Sequence, residues 1–301
     1  ISAGYFPNIF AILARRLADV DTRVVVTEHN SPTVNRKQSR WWEARHWFTF
    51  FARLMYPQAH AIVAVSNGTA RDLAKETGLP LERISTIYNP VVGPDLYEAA
   101  KQPLDHPWFN DPQVPVLLAV GRLEPQKNYA SLIRAFALVI RKRPCRLVIL
   151  GDGYEREALE RLIATHNLSE HVQLAGFAPN PHAYTARAAA LVLSSVWEGL
   201  SCVLIEALAL GTPTVSTDCP FGPSEVLDGG KYGTLVPVGD DAALADAILK
   251  TLERPRSEVP NEWLEQFTTR RAADRYLQVA GLNRPGAQNI AEQALSVPTP
   301  S

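Results

Sequence analysis

The sequence predicts an α/β protein built on doubly wound parallel sheets, and two observations predict it. Apolar runs of strand length alternate with helical segments along most of the chain, and those runs are continuously apolar. Continuous apolar character marks strands buried on both faces, as a parallel sheet covered by helices requires. The totals agree, because 301 residues with 46% hydrophobic and 20% charged composition fit two globular domains. A formal net charge of −1 gives no general pull toward polyanions. Nucleic acid is therefore not an expected partner, and any anionic ligand must be held by a local cluster of cations. Cys145, Cys202 and Cys219 are far apart and odd in number, with no C-x-x-C pair, which fits a reducing, cytoplasmic setting. No run reaches the roughly 18 apolar residues of a spanning helix, and no secretion signal is expected.

The elements follow in order. PNIFAILARRLADV, at 7–20, reads as a helix entered almost at once; Ile1 is not an initiator, so the chain reads as a fragment. Strands are expected at VVVTE (24–28), AIVAV (61–65) and ISTIY (84–88), giving a partial first domain over 1–100 whose missing strands lie on the N-terminal side. RKQSRWWEARHWFTFFARLMY, at 36–56, is basic and aromatic with Glu43 its only acid. It suits either a membrane surface or a core face made by Trp47, Phe51 and Met55, spaced by four. The proline-rich stretch 90–115 holds an interdomain linker, bounded here at 101–113. The second domain, 114–256, carries strands in VPVLLAVG, CRLVILG, VQLAGF, ALVLSS, TPTVSTD and GTLVPVG. One amphipathic helix is expected within 260–281, then a polar, disordered tail over 282–301.

In parallel sheets, ligands sit beyond the carboxyl ends of the strands, where helix N-termini point N–H groups at anions. The loop after ALVLSS runs SSVWEGLSCVLIEALALG, with Glu198 and Gly199 in the turn, Ser201 as N-cap and Gly211 as stop. Glu206 lies about 7.5 Å further along the helix axis, so two carboxylates bracket a helix N-terminus. The amides of Gly199, Leu200 and Ser201 can donate to a diphosphate, and each glutamate can accept from sugar or ribose hydroxyls. Taken alone, this spacing fits a capping turn at least as well. The loop AVGRLEPQKN supplies Arg122 and Lys127 after the first strand of the same domain, cations suited to a leaving diphosphate or simply to solvent. His29 follows VVVTE, where an imidazole can reach a reacting centre or serve the scaffold. SNGTARDL (66–73) and IYNPV (87–91) read as scaffold and cleft lining.

Five motifs in order, GRLEPQKN, GDGYEREALE, EGLSCVLIEALALGTPTV, DCPFGPSEVL and YGTLVPVGD, resemble the family 4 glycosyltransferases of the GT-B fold. The resemblance covers all but the tail. It implies two Rossmann-like doubly wound domains facing across a cleft, the N-terminal one incomplete and on the acceptor side. It also implies a nucleotide-diphosphate sugar as co-substrate, retention of anomeric configuration, and no cofactor or required metal. By that similarity Arg122 and Lys127 hold the diphosphate, Glu198 contacts the transferred sugar and Glu206 the ribose, and Gly153 and Phe177 lie near the base. Glu198 and His29 are the catalytic candidates. The resemblance suggests a UDP-linked hexose or N-acetylhexosamine as donor and a glycan or lipid-linked acceptor. Segment 36–56 would then touch the inner face of the membrane.

The rivals fall short. GDGYER lacks the third glycine of a dinucleotide fingerprint, with Arg156 in that place, and sits in the second βα unit. A GT-B sugar-nucleotide epimerase would need a different catalytic set. The family's glycine-rich first acceptor loop has no counterpart in this sequence, so a donor-binding chain with weak or no turnover is the remaining alternative.

Overall fold

The computed structural model describes residues 1–34, 47–111, 113–254, 256 and 258–282. The first sheet is β1 (Ser2–Ala3), β2 (Val25–Glu28), β3 (Ala61–Ala64) and β4 (Ile84–Thr86), all parallel and in that spatial order. Sequence pattern finds the last three, whereas two residues of β1 are too few to show a period. Helices α1 (Tyr5–Leu17), α2 (Phe48–Met55) and α3 (Asn67–Thr77) pack on one face, where Ile9, Ile12, Phe48, Ala52 and Leu73 meet Val26 and Ile62.

The expected core face of the aromatic segment needs correction. Phe48, Ala52 and Tyr56 face the core, while Trp47 is 50% and Phe51 46% exposed, and Met55 is only partly buried. The spacing by four was right and its phase was off by one. Residues 36–46 of that segment lie outside the described residues.

Within the proline-rich stretch the chain forms α4 (Pro94–Lys101), started by Pro94 at a position where a missing N–H costs nothing. The end of α4 and the segment after it are fastened to the second domain. Asn180 Nδ2 donates to Ala99 O at 2.8 Å, Arg187 donates to the carbonyls of Ala100 and Gln102, and His106 stacks edge-on against Trp108, Phe109 and Tyr184.

The second sheet follows with β5 (Val116–Val120), α5 (Tyr129–Val139), β6 (Arg146–Leu150), α6 (Arg156–Thr165), β7 (Val172–Gly176) and α7 (Pro181–Arg187). It continues through β8 (Ala190–Leu193), α8 (Cys202–Ala209), β9 (Thr214–Thr217), α9 (Pro223–Val226), β10 (Thr234–Val236) and α10 (Asp241–Leu252). All six strands are parallel, in spatial order β10-β9-β8-β5-β6-β7. Sequence order therefore reverses between β5 and β8, the switch point where such sheets open a ligand crevice. Both faces are covered: Leu117, Leu147 and Val192 pack under α5 and α10, and Leu118, Val148 and Leu191 under α8. That two-sided burial is why these strands read as unbroken apolar runs.

The single helix expected within 260–281 is two, α11 (Asn261–Leu264) and α12 (Thr269–Val279). Between them Phe267, 1% exposed, turns its ring toward Tyr88, and its carbonyl accepts from the amides of Val91 and Val92. Those backbone bonds to a segment distant in sequence replace helical ones, and the Thr268 side chain then caps α12 through the Arg271 amide. Helix α12 crosses back to the first domain, placing Ala272 and Ala280 against Val25, Val63 and Ile87 on the open face of its sheet. The tail expected to be disordered lies, from residue 283, outside the described residues.

Candidate active site

The loops after β8 and β5 meet at the switch point. Lys127 Nζ donates to Glu198 Oε1 at 2.6 Å, and Ser195 Oγ donates to the same oxygen at 2.6 Å. Both side chains of the ion pair are largely buried, 17% exposed for Lys127 and 8% for Glu198. Such a pair holds only when each charge keeps its partner. The lysine reaches across Gly121, where a Cβ would fall 2.9 Å from its Cε. Glycine is favoured there by its backbone, at φ 154°, and no side-chain periodicity announces it.

Past Glu198, no hydrogen bond from the amides of Gly199, Leu200 or Ser201 is found among the described residues. They precede α8, so unspent donors and the positive end of a helix coincide beside the Lys127–Glu198 pair. Ser201 occupies the N-cap position without capping: its hydroxyl is buried and without a partner. Leu200, by contrast, is 7% exposed and belongs to the core under α8.

Glu206 sits one helical turn further on, within 3.5 Å of His182 Nδ1. Burial pushes its carboxyl above the usual range, partly offset by His182. His182, in the first turn of α7, escaped sequence reasoning, as did Ser195; neither lies in a pattern that distinguishes it from ordinary loop polarity.

Arg122 is the member that stands apart. Its side chain is 73% exposed and its Nη1 pairs with Glu124 Oε1 of the same loop at 2.7 Å. The structure thus brings Lys127 to Glu198 and leaves Arg122 at the rim.

Gly153 and Phe177 follow β6 and β7, so Glu198, Lys127, Gly153 and Phe177 succeed one another along the carboxyl edge of the sheet in strand order. A Cβ on Gly153 would sit 2.4 Å from the Leu123 carbonyl, which ties this loop to the one carrying Lys127. Phe177 is 82% exposed and lines a cavity of ≈ 300 Å³ with Leu150, Ala175, Tyr184 and Leu104. An open ring beside a partly apolar hollow suits a flat heteroaromatic guest.

From the first domain, His29 follows β2 and reaches the same place. Its carbonyl lies where a Cβ on Gly199 would be, at 2.0 Å, so the two backbones touch. Thr27 Oγ1 donates to Ser2 O and therefore accepts from His29 Nε2 at 3.1 Å. That fixes the proton on Nε2 and leaves Nδ1 as an acceptor, in keeping with burial lowering the imidazole's pKa.

Residues 102–269 match the family described as Glycosyl transferases group 1, and residues 1–92 match Glycosyltransferase Family 4. A similar protein is the N-acetylgalactosamine-N,N'-diacetylbacillosaminyl-diphospho-undecaprenol 4-alpha-N-acetylgalactosaminyltransferase of Campylobacter jejuni. It is 34% identical over 247 residues, covering 82% of this chain and 65% of the relative. The chain thus spans about two thirds of that relative's length. The alpha-D-kanosaminyltransferase of Streptomyces kanamyceticus is 27% identical, over 83% of this chain and 68% of its own. Among solved structures, the lipopolysaccharide outer core galactosyltransferase WaaB superposes with a TM-score of 0.69 at 21% identity, covering 92% of this chain and 72% of its own. Anabaena Alr3699/HepE in complex with UDP and glucose gives 0.67 at 20%, covering 98% and 77%. These structures share the GT-B fold with this chain. On the strength of the two family matches, each aligned with one of the two sheets, the chain belongs to the group 1, family 4 glycosyltransferases.

Proposed function

We propose that the chain carries the donor site, and part of the acceptor cleft, of a retaining glycosyltransferase that moves a sugar from a UDP-sugar to a glycan or lipid-linked acceptor. One observation carries this reading: the buried Lys127–Glu198 pair at the switch point, flanked by three amides that find no acceptor among the described residues. Cleaving a glycosyl phosphate builds negative charge on the diphosphate and positive character at the anomeric carbon. Lys127 and the amides of Gly199, Leu200 and Ser201 stabilise the first, which is why we read the site as working without a metal. Glu198 keeps Oε2 for a sugar hydroxyl while Oε1 is held by Lys127 and Ser195. His29 presents Nδ1 from the other side of the cleft. Glu206 takes the ribose, and Phe177 the base. Arg122 is placed to meet the diphosphate once it leaves Glu124. In this scheme the departing phosphate takes the acceptor's proton on the face it leaves, so configuration is kept.

Support for the donor comes from HepE, whose structure holds UDP and glucose, and support for a lipid-linked acceptor from the C. jejuni relative, whose name places its sugar on diphospho-undecaprenol. A surface feature adds to the latter. α1 and α2 share one face of the first sheet, and the sides of these helices turned away from it expose Phe10, Leu17, Phe50 and Leu54 beside Arg15, Arg16 and Arg53. Rings and cations together suit peripheral contact with an anionic bilayer, on the cytoplasmic side by our reading of the cysteines. Among the described residues no helix is long and apolar enough to cross a membrane.

Calorimetric titration with UDP- and GDP-sugars, followed by a donor-hydrolysis assay, tests the reading. We expect saturable binding of a UDP-sugar and release of UDP. A flat titration with every nucleotide sugar, from a chain shown to be folded by circular dichroism, would remove the proposal.

A further inference from the structure

Two stretches that read as scaffold in the sequence, 66–73 and 87–91, meet the start of α9 and the turn before it, residues 219–225 of the second domain, at a seam next to Glu198. The N-terminus of α3 lies in that seam. A helix start leaves N–H groups without partners, and a nearby acid normally supplies them. The first turn of α3 holds no acid of its own. Its acid comes from the other domain: Glu225 Oε1 accepts from the Asn67 amide at 2.8 Å, and Oε2 accepts from the Gly68 amide at 3.2 Å. Tyr88 donates its hydroxyl to Glu225 Oε1 at 2.6 Å, and burial, then Glu225 itself, pushes that phenol's pKa up, so it stays a donor. One carboxylate thus satisfies three donors from two elements of the opposite domain.

The surroundings join this contact to the active site. Phe221 adopts φ 65°, a left-handed conformation that a bulky residue rarely takes, and its Cδ1 stands where a Cβ on Gly68 would be, at 2.7 Å. The Pro220 carbonyl beside it accepts from the Glu198 amide at 3.1 Å. The Gly199 carbonyl, next in sequence, accepts from Ser66 Oγ at 2.7 Å and lies 3.3 Å from Thr69 Oγ1, both fully buried residues of the α3 start. The same segment, α9 with the turn before it, therefore grips α3 with Glu225 and Phe221 and holds the backbone of Glu198 with Pro220.

We propose that Glu225 is a positioning residue, clamping the α3 N-terminus and Tyr88 so that the first domain is held in the one register that sets His29 against the Glu198–Gly199 turn. The consequence for transfer rests on the function proposed above; the clamp itself does not. Positional errors of about 1 Å at a reacting centre can cost about 100-fold in rate, so a contact without substrate chemistry can control turnover.

The test compares the unsubstituted chain with Glu225→Ala, Glu225→Gln and Tyr88→Phe. Hydrogen exchange at the Asn67 and Gly68 amides reads the clamp, UDP affinity by calorimetry reads the donor site, and donor turnover reads alignment. Expected are fast exchange at both amides in Glu225→Ala and intermediate exchange in Glu225→Gln, which keeps one acceptor oxygen. UDP affinity should stay within about twofold, and kcat should fall about 10- to 100-fold without a matching rise in KM. Tyr88→Phe removes one of the three bonds without opening a cavity, so it should show the same pattern weakly and keeps the test alive if Glu225→Ala does not fold. Unchanged exchange in Glu225→Ala would overturn the clamp, and released amides with unchanged kcat would overturn its positioning role. If UDP fails to bind even the unsubstituted chain, the proposed function falls, while exchange still decides the clamp.

Discussion

Glu28 and Glu198 occupy corresponding places in the two domains, each at or just beyond the carboxyl end of a buried parallel strand, yet their surroundings differ in kind. Glu198 has a cation, Lys127, at 2.6 Å. Glu28 is fully buried, and its partners among the described residues are neutral: Asn8 Nδ2 at 2.9 Å and the Tyr56 hydroxyl, both on Oε1, while no hydrogen bond to its Oε2 or to Asn8 Oδ1 is found among them. Desolvation, only partly offset by the hydrogen bonds from Tyr56 and Asn8, pushes the Glu28 carboxyl up to about 8. A proton on Oε2 would be a donor in a pocket that already holds an unpaired acceptor, so the neutral form fits the site better than the ion. The difference teaches that the second domain keeps a buried charge by pairing it, and the first keeps a buried acid by neutralising it.

The largest expected effect comes from breaking the paired case. Lys127→Ala strands a buried carboxylate, and removal of one partner of such a pair costs about 3–5 kcal/mol. Lost stabilisation of the diphosphate should also lower turnover by about 100- to 1,000-fold. Urea unfolding and donor-hydrolysis rates measure the two losses separately. Lys127→Ala combined with Glu198→Gln should recover much of the stability and none of the activity; equal stability losses in the single and double variants would show that the pair is not what holds the loop.

Next comes the unpaired case. Folding raises the pKa of Glu28, so the native state keeps a proton that the unfolded chain releases above its ordinary value of 4.5. Stability from this group is complete below that value and is lost as pH rises through about 8. Between pH 5 and pH 8.5 the unfolding free energy should fall by roughly 2–4 kcal/mol through this group. Glu28→Gln should flatten the fall. A variant with the same pH profile as the unsubstituted chain would place the titration elsewhere.

How far the sequence shows these two sites follows from the same contrast. Glu198, Lys127 and the helix start after them are legible because parallel strands leave continuous apolar runs, and the functional loops must follow them. The pairing of Lys127, and not Arg122, with Glu198 is not legible: both cations lie in one loop, and which of them turns toward Glu198 is set by the path of that loop in space. Glu28 sits inside VVVTEHN, where one acid at a strand end looks like a boundary, and its partners Asn8 and Tyr56 are 20 and 28 residues away. Helix α12 reads as part of one amphipathic helix because its break is imposed by backbone bonds from Val91 and Val92, a contact across more than half the chain.

A smaller effect asks whether affinity for the donor belongs to the second domain alone. Phe177 is 82% exposed, so Phe177→Ala should leave the unfolding midpoint where it was. If its ring stacks on the base, UDP affinity should drop by about 1–2 kcal/mol, near tenfold in Kd, as seen for aromatic platforms under bases. Unchanged calorimetric affinity would move the base away from the hollow that Phe177 lines.

The smallest effect separates the two cations. Arg122 is 73% exposed and already paired with Glu124, and exposed pairs of this kind contribute about 0–1 kcal/mol. Arg122→Gln should therefore leave stability unchanged, in contrast to Lys127→Ala. Its effect should appear only with diphosphate present, as a two- to fivefold weaker Kd for UDP, roughly 0.4–1 kcal/mol, and this difference should shrink at high salt because the side chain meets solvent. UDP and uridine titrated side by side give the deciding measurement. The arginine should matter for UDP and be silent for uridine, because only the former brings the charge that could draw it from Glu124; equal losses for both ligands would assign Arg122 to the shape of the loop and leave Lys127 as the cation that reads the diphosphate.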